Sequence, residues 1–197
     1  MEEIKLKYGN VNNAVKVGDT VRRDSGPWTP TIHTLLDFLI DHDFACVPKP
    51  LGIDNKGREI LSYIDGDAAV RPWPPVMLTN EGIAQAGRLL RRYHDTVADF
   101  KPSVDATWRF VDHNHGSYQV ILHGDLGPWN TIWHEDTLIG LIDWDFAHPG
   151  DRIEDVAQLA YYFIPLRGTL GWQNAGFEKR PHLAVRLQTL VEAYGMF

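Results

Sequence analysis

A change of hydrophobic period near residue 65 divides this chain. Before it, apolar residues fall in short alternating runs: Ile4, Leu6 and Tyr8, then Val15 and Val17, separated by the turn-rich stretch Gly9-Asn10-Val11-Asn12-Asn13. Gly18-Asp19 suits a hairpin turn into Val21-Arg22-Arg23, and Asp54-Asn55-Lys56-Gly57 joins Leu51-Gly52-Ile53 to Glu59-Ile60-Leu61-Ser62-Tyr63-Ile64 in the same way. One helix interrupts these strands. Thr29 is read as its N-cap, Pro30 fits the first helical position, and Ile32, Leu35, Leu36, Leu39 and Ile40 form a stripe at helical spacing. Pro48 and Pro50 close that region.

Asp65-Gly66-Asp67 and the prolines at 72, 74 and 75 read as a connector, after which long helical stripes take over. One runs over 80–97, with Ile83, Leu90, Tyr93, His94 and Val97 on one side; others cover 152–164 and 182–194. Short β-like runs lie between them: Val120-Ile121-Leu122, Thr131-Ile132-Trp133 and Leu138-Ile139-Gly140-Leu141-Ile142. Strands first and helices afterwards predict an α+β chain with a small antiparallel lobe at 1–65 and a larger, mainly helical lobe at 66–197.

Composition removes several classes of function. A formal net charge of -7 argues against nucleic-acid binding, which needs basic surface to displace counterions. Cys46 is the single cysteine, so no internal disulfide or Cys-x-x-Cys site can form. Met1-Glu2-Glu3-Ile4-Lys5 lacks the basic and apolar regions of a signal peptide, and no apolar run reaches the length of a membrane span. A cytoplasmic protein without membrane partners is the expectation.

The chemistry concentrates between Val120 and Asp155. His123-Gly124-Asp125-Leu126-Gly127-Pro128-Trp129-Asn130 follows one apolar run, and Asp143-Trp144-Asp145 follows the next, so each polar group projects from a rigid base into a loop. Phosphoryl transfer needs an acceptor for the proton of the attacking hydroxyl, together with oxygen ligands that hold Mg²⁺ against phosphates. An Asp, an Asn five residues on, and a second Asp on the next hairpin supply that set.

His123-Gly124-Asp125-x-x-x-x-Asn130 followed by Ile142-Asp143-Trp144-Asp145 resembles the aminoglycoside phosphotransferase and choline kinase group, small-molecule relatives of the protein kinases. Gly150-Asp151-x-x-x-Asp155-Val156-Ala157 and the Tyr93-His94 pair resemble further stretches of that group. The resemblance implies a bilobal kinase-like fold binding Mg²⁺ with ATP or GTP, and a small-molecule acceptor such as an aminoglycoside, an amino alcohol or a sugar. It implies that Asp125 takes the acceptor proton, that Asn130 and Asp143 ligate the metal with Asp145 as a further ligand, and that His123 supports the loop from beneath. For the nucleotide it implies a phosphate-covering loop ending at Asn13, a phosphate-gripping base at Arg22 or its neighbour Arg23, and a base-reading hinge at Ser62, Tyr63 and Ile64.

This sequence departs from the group's pattern in two places. The basic residue of the third strand normally pairs with a helix Glu, and the helix here has none; His33 stands near that position. Only about twenty residues separate Val97 from Tyr118, where many relatives carry an insertion that shapes the acceptor site. The acceptor pocket is therefore open, built from C-terminal helices, or completed in a homodimer. Two rival readings follow from the same residues. The phosphate-clamp departure suits a kinase-like nucleotide-binding protein without turnover. His113-x-His115 and His123-x-Asp125 have spacings that could serve a Zn²⁺ or Mn²⁺ hydrolase. Trp73, Trp108, Trp129, Trp144 and Trp172 are read as core or lobe-interface residues, and Asp151 with Glu154 as a helix cap.

Overall fold

The computed structural model describes residues 2–6, 13–110, 118–166 and 168–196. Five antiparallel strands come first: β1 (Ile4–Lys5), β2 (Val15–Val17), β3 (Thr20–Asp24), β4 (Pro50–Ile53) and β5 (Arg58–Ser62), in the order β1-β2-β3-β5-β4. The hairpin at Gly18-Asp19 joins β2 to β3, and the turn at 54–57 joins β4 to β5. The helix α1 (Thr29–Asp41) crosses this sheet and buries Ile32, Leu35, Leu36 and Leu39. Trp28 rather than Thr29 occupies its N-cap position; the Thr29 hydroxyl instead accepts the Gly26 N–H at 2.9 Å, which fixes the turn entering the helix.

The connector forms one small element of its own. β6 (Asp67–Ala68) pairs antiparallel with β8 (Thr131–His134), which pairs in turn with β9 (Thr137–Leu141). β7 (Val120–Leu122) pairs with β10 (His148–Gly150). Around these hairpins lie α2 (Asn80–Val97), α3 (Arg152–Phe163), α4 (Gly168–Ala175) and α5 (Leu183–Tyr194). The sequence pattern predicts three of these four helices; α4, short and holding two glycines, has no long apolar stripe to reveal it.

α2 begins at Thr79, whose hydroxyl accepts from Gly82 N, and buries Ile83, Leu90, Tyr93 and Val97 against α5 and the β7 region. Gly87 sits where α5 passes closest, since a Cβ there would lie 3.0 Å from the Leu190 carbonyl oxygen. Complete burial of each large apolar side chain on this face contributes roughly 1.5–3 kcal/mol. Arg186 of α5 ties the turn before α2 to the end of α3 by donating to the carbonyls of Met77, Leu78, Thr79 and Phe163. No helix among the described residues is long and apolar enough to cross a membrane.

Candidate active site

β7 is buried throughout and ends at Leu122, so the chain emerges at His123 from a fixed base. The His123 ring is fully buried, with its centroid 4.4 Å from that of Trp144. Its Nε2 donates to the Ile142 carbonyl at 3.1 Å, and its Nδ1 accepts from the Asp125 N–H at 3.3 Å. Those partners suit a neutral imidazole. Burial pushes the His123 pKa down, although Asp155, Asp125 and Asp143 work in the other direction. The ring thus couples the Asp125 loop to the strand that delivers Asp143.

Gly124 has φ +78°, and a Cβ there would lie 2.2 Å from the Phe146 carbonyl oxygen. Only glycine combines this backbone conformation with so close an approach. α3 grips the same loop from the other side. The buried Asp155 carboxylate accepts from His123 N at 2.8 Å and Gly124 N at 3.1 Å, and also bonds His94 Nε2 at 3.2 Å. Gln158 accepts from Leu126 N at 2.5 Å and donates to Gly124 O at 2.9 Å. Asp151 and Glu154 form a capping box at the start of α3, which accounts for both acids.

Antiparallel pairing then brings Asn130 and Asp143 together. Thr131 faces Leu141 in the β8–β9 hairpin, and Ile142 N donates to Asn130 O at 2.9 Å. Asn130 and Asp143 are therefore the residues leaving the two arms of one hairpin at the same end. The Asn130 side-chain amide donates to Asp125 Oδ2 at 2.7 Å and to Asp125 O at 2.9 Å. Its nitrogen being taken, its amide oxygen is the atom available to a cation. Asp143 adopts a left-handed conformation, φ 63° and ψ 64°, uncommon for a residue with a side chain and frequent at functional sites. One amide oxygen and one carboxylate fit Mg²⁺, which binds few protein ligands and completes its shell with water and phosphate oxygens. Among the described residues no group of three or more His, Cys, Asp or Glu side chains is arranged to hold a metal. His113 and His115 lie outside the described residues.

Arg22, Arg23 and Asp145, the charged residues of the expected site, differ in what they meet. Arg22 turns away from this cluster: it donates to Thr20 Oγ1 at 2.5 Å and lies 4.0 Å from Asp54. Its neighbour Arg23, on the opposite face of β3, is buried and meets three carboxylates. It bonds Glu59, Asp143 Oδ1 at 2.7 Å and Asp145 Oδ1 at 2.7 Å. Burial opposes the charge of Arg23, but Glu59, Asp145 and Asp143 outweigh it and raise its pKa.

Asp145 lies in the same cluster, its two oxygens bonding Arg23 (2.7 Å) and Arg109 (2.9 Å). Burial raises the Asp145 pKa, with Arg23 pulling it back. Asp143 remains more open, with its side chain 29% exposed.

Glu59 supplies the counter-charge that the helix lacks. It stands directly across from Arg23 in the β3–β5 register, and His33 of α1 bonds its other oxygen at 2.9 Å. Sequence reasoning missed Glu59 because the pairing depends on strand register. It missed Arg109 as well, which bonds Asp145 and packs over the Trp28 ring at 4.7 Å. Nothing in the order of residues around Arg109 announces that contact.

The expected nucleotide contacts are placed as follows. Asn13 Nδ2 donates to Asp24 at 2.9 Å, at the end of β3; residues 9–12 of the phosphate-loop expectation lie outside the described residues. Ser62 N donates to Lys49 O and Tyr63 N to Asp19 O, both at 2.9 Å, so these two amides face the sheet. Trp73, Trp108 and Trp144 are buried as expected, whereas Trp129 is 40% exposed beside Asp125.

Comparisons with known proteins bear on the family and the fold. The APH phosphotransferase enzyme family profile matches residues 103–184. The chain is 35% identical over 199 residues to a trifolitoxin immunity protein of Rhizobium leguminosarum bv. trifolii, covering 99% of this chain and 75% of that protein. An amicoumacin kinase in complex with AMP-PNP, Ca²⁺ and amicoumacin superposes with a TM-score of 0.74 at 12% identity, over 98% of this chain and 72% of the other. A 2′-aminoglycoside phosphotransferase bound to GDP superposes at 0.64 with 16% identity, over 98% and 81% of the two chains. A choline/ethanolamine kinase family protein from Mesorhizobium loti gives 0.63 at 15% identity, over 98% and 69%. These structures share the bilobal kinase-like α+β fold.

Proposed function

Because this chain belongs to the APH phosphotransferase enzyme family, we propose that it is a cytoplasmic, Mg²⁺-dependent kinase that transfers the γ-phosphoryl group of ATP or GTP to a hydroxyl of a small molecule. The observation carrying this reading is the meeting of Asp125, Asn130 and Asp143 in one polar site, where a single Asn130 amide bridges the base to the metal side. Mg²⁺, when bound, neutralises charge on the nucleotide phosphates.

Asp125 holds the acceptor hydroxyl and accepts its proton as the acceptor oxygen bonds to the γ-phosphorus. The bond from that phosphorus to the β-phosphate oxygen breaks, leaving the nucleoside diphosphate. Asn130 and Asp143 would hold the metal, and Arg23, kept in place by Glu59, would face the phosphates from β3. His123 and Asp155 keep Asp125 in register. On this reading the lobe boundary falls at 65/66, and the nucleotide would lie between the lobes. The immunity protein among the relatives, and the antibiotics bound by structural neighbours, support an acceptor of toxin or antibiotic type.

One observation favours a second reading, nucleotide binding without turnover: Arg23 already holds an Asp143 oxygen. A single set of measurements separates the two. Mg²⁺-ATP or Mg²⁺-GTP at 100 times its Kd should stabilise the protein by about 2.7 kcal/mol, seen as a raised melting temperature. Asp143→Ala should abolish the shift. Asp125→Asn should reduce acceptor-dependent nucleotide consumption by about 10²–10⁴-fold. A Mg²⁺-dependent shift with no turnover of any acceptor leaves the second reading; no shift at millimolar nucleotide rejects both.

A further inference from the structure

Trp129 is the residue next to Asn130, and its placement is unusual for so large a side chain. Its ring lies over Gly127, where an added Cβ would come within 2.2 Å of Cε2 and Cζ2. Its Nε1 points toward Asp125 Oδ2 at 3.5 Å. Tyr162 of α3 packs against it edge to face, with centroids 4.8 Å apart and planes at 76°, and Tyr161 continues the series at 5.1 Å and 72°. Gly127 and Tyr162 thus hold the indole, yet Trp129 remains 40% exposed. Tyr161 is 44% exposed on the same wall. An aromatic surface held this firmly beside the group that faces the reacting hydroxyl is a platform for the acceptor.

The neighbouring charges limit what that platform can take. A polycationic sugar needs several carboxylates to meet its ammonium groups. Among the described residues around the Asp125 loop, Asp145 is held by Arg23 and Arg109, Asp155 by His94 and two backbone amides, and Asp151 with Glu154 by the cap of α3. Nor do the rings form a cage for a lone ammonium, which needs aromatic faces converging on one point. Here Trp129 meets Tyr162 and Tyr162 meets Tyr161, each pair edge to face, in a row rather than around one point. A flat ring stacked on the indole is the ligand group this geometry accommodates.

Resting on the phosphotransferase reading, we infer that the acceptor is a hydroxyl compound bearing a flat, uncharged aromatic or heteroaromatic ring, stacked on Trp129 with its hydroxyl at Asp125. The test compares three probes as acceptors with saturating Mg²⁺-nucleotide: tryptophol (an indole alcohol), choline and kanamycin. Tryptophol should give the highest kcat/KM. Trp129→Ala should lower that value by about tenfold, chiefly through KM, while Trp129→Tyr restores most of it. A purely structural role for Trp129 would instead lower turnover of all three probes together. Preference for kanamycin or choline, or a Trp129→Ala enzyme indistinguishable from the natural one toward tryptophol, overturns the inference. In that case a Mg²⁺-dependent melting shift and Asp125-dependent turnover still stand for the kinase reading. Calorimetric titration with tryptophol provides the converse: binding lost in Trp129→Ala without any turnover keeps the platform and removes the kinase reading, whereas no binding by the natural protein removes the platform.

Discussion

Gly124→Ala should damage both stability and catalysis, and two terms set its size. At φ +78° a Cβ costs about 1 kcal/mol in backbone strain. The second term is the overlap: the new methyl would lie 2.2 Å from Phe146 O and 2.9 Å from Phe146 C, so one of the two loops must move by about 1 Å to restore contact. The Phe146 backbone cannot yield freely, because the chain enters β10 two residues later, paired through His148 and Leu122 to β7. Overlap with a constrained backbone adds about 2–3 kcal/mol, for a total near 3–4 kcal/mol. Gly57 provides the control. Its φ is +77°, almost the same, but nothing lies within 4 Å of its hypothetical Cβ. Gly57→Ala should therefore cost the strain alone, about 1 kcal/mol. Urea unfolding of both variants gives the difference. A displacement of about 1 Å between Asp125 and Asp143 should also lower turnover roughly 10²-fold in Gly124→Ala. Equal losses in the two variants, or a Gly124→Ala protein within about 0.5 kcal/mol of the natural one, would refute the reasoning that loop contact requires this glycine.

Two further outcomes follow from the charge cluster and the buried histidine. Arg23→Met leaves Glu59, Asp143 and Asp145 facing one another without their cation and should cost about 3–5 kcal/mol, whereas Arg22→Met should cost about 1 kcal/mol or less. Similar urea midpoints for the two would show that Arg23 is not the organising cation. Burial holds the His123 pKa below its ordinary value, so between the two values the unfolded chain binds more protons than the folded one. The stability contributed by neutral His123 is thus complete above about pH 6.5 and declines as pH falls below it. Unfolding from pH 7.5 to 5.5 should show a steeper loss for the natural protein than for His123→Gln, and identical slopes would count against a buried neutral imidazole.

Local pattern was enough for the elements whose signals are local. The alternating runs of 1–65 became a sheet, the stripe at 80–97 became α2 with its ends at Asn80 and Val97, and the tight turns at Gly18-Asp19 and 54–57 became hairpins. That Asp125, Asn130 and Asp143 come together was legible for the same reason. Each follows an apolar run that becomes a buried strand, and a hairpin must bring its two ends together whatever surrounds it.

Contacts between distant segments were decided by the tertiary structure alone. The choice of Arg23 over Arg22 is a question of which face of β3 meets the helices, and one residue of register reverses it. Glu59 becomes its partner only because β5 lies beside β3, and Asp145 bonds Arg109, which reaches it from a segment with no motif. Trp129 looked like a core residue by type, and only its seat on Gly127 beside Tyr162 shows it to be half open next to Asp125. Sequence records which groups are present and which neighbours along the chain share a face; which distant charges cancel and which aromatic stays exposed depends on packing that no short window contains.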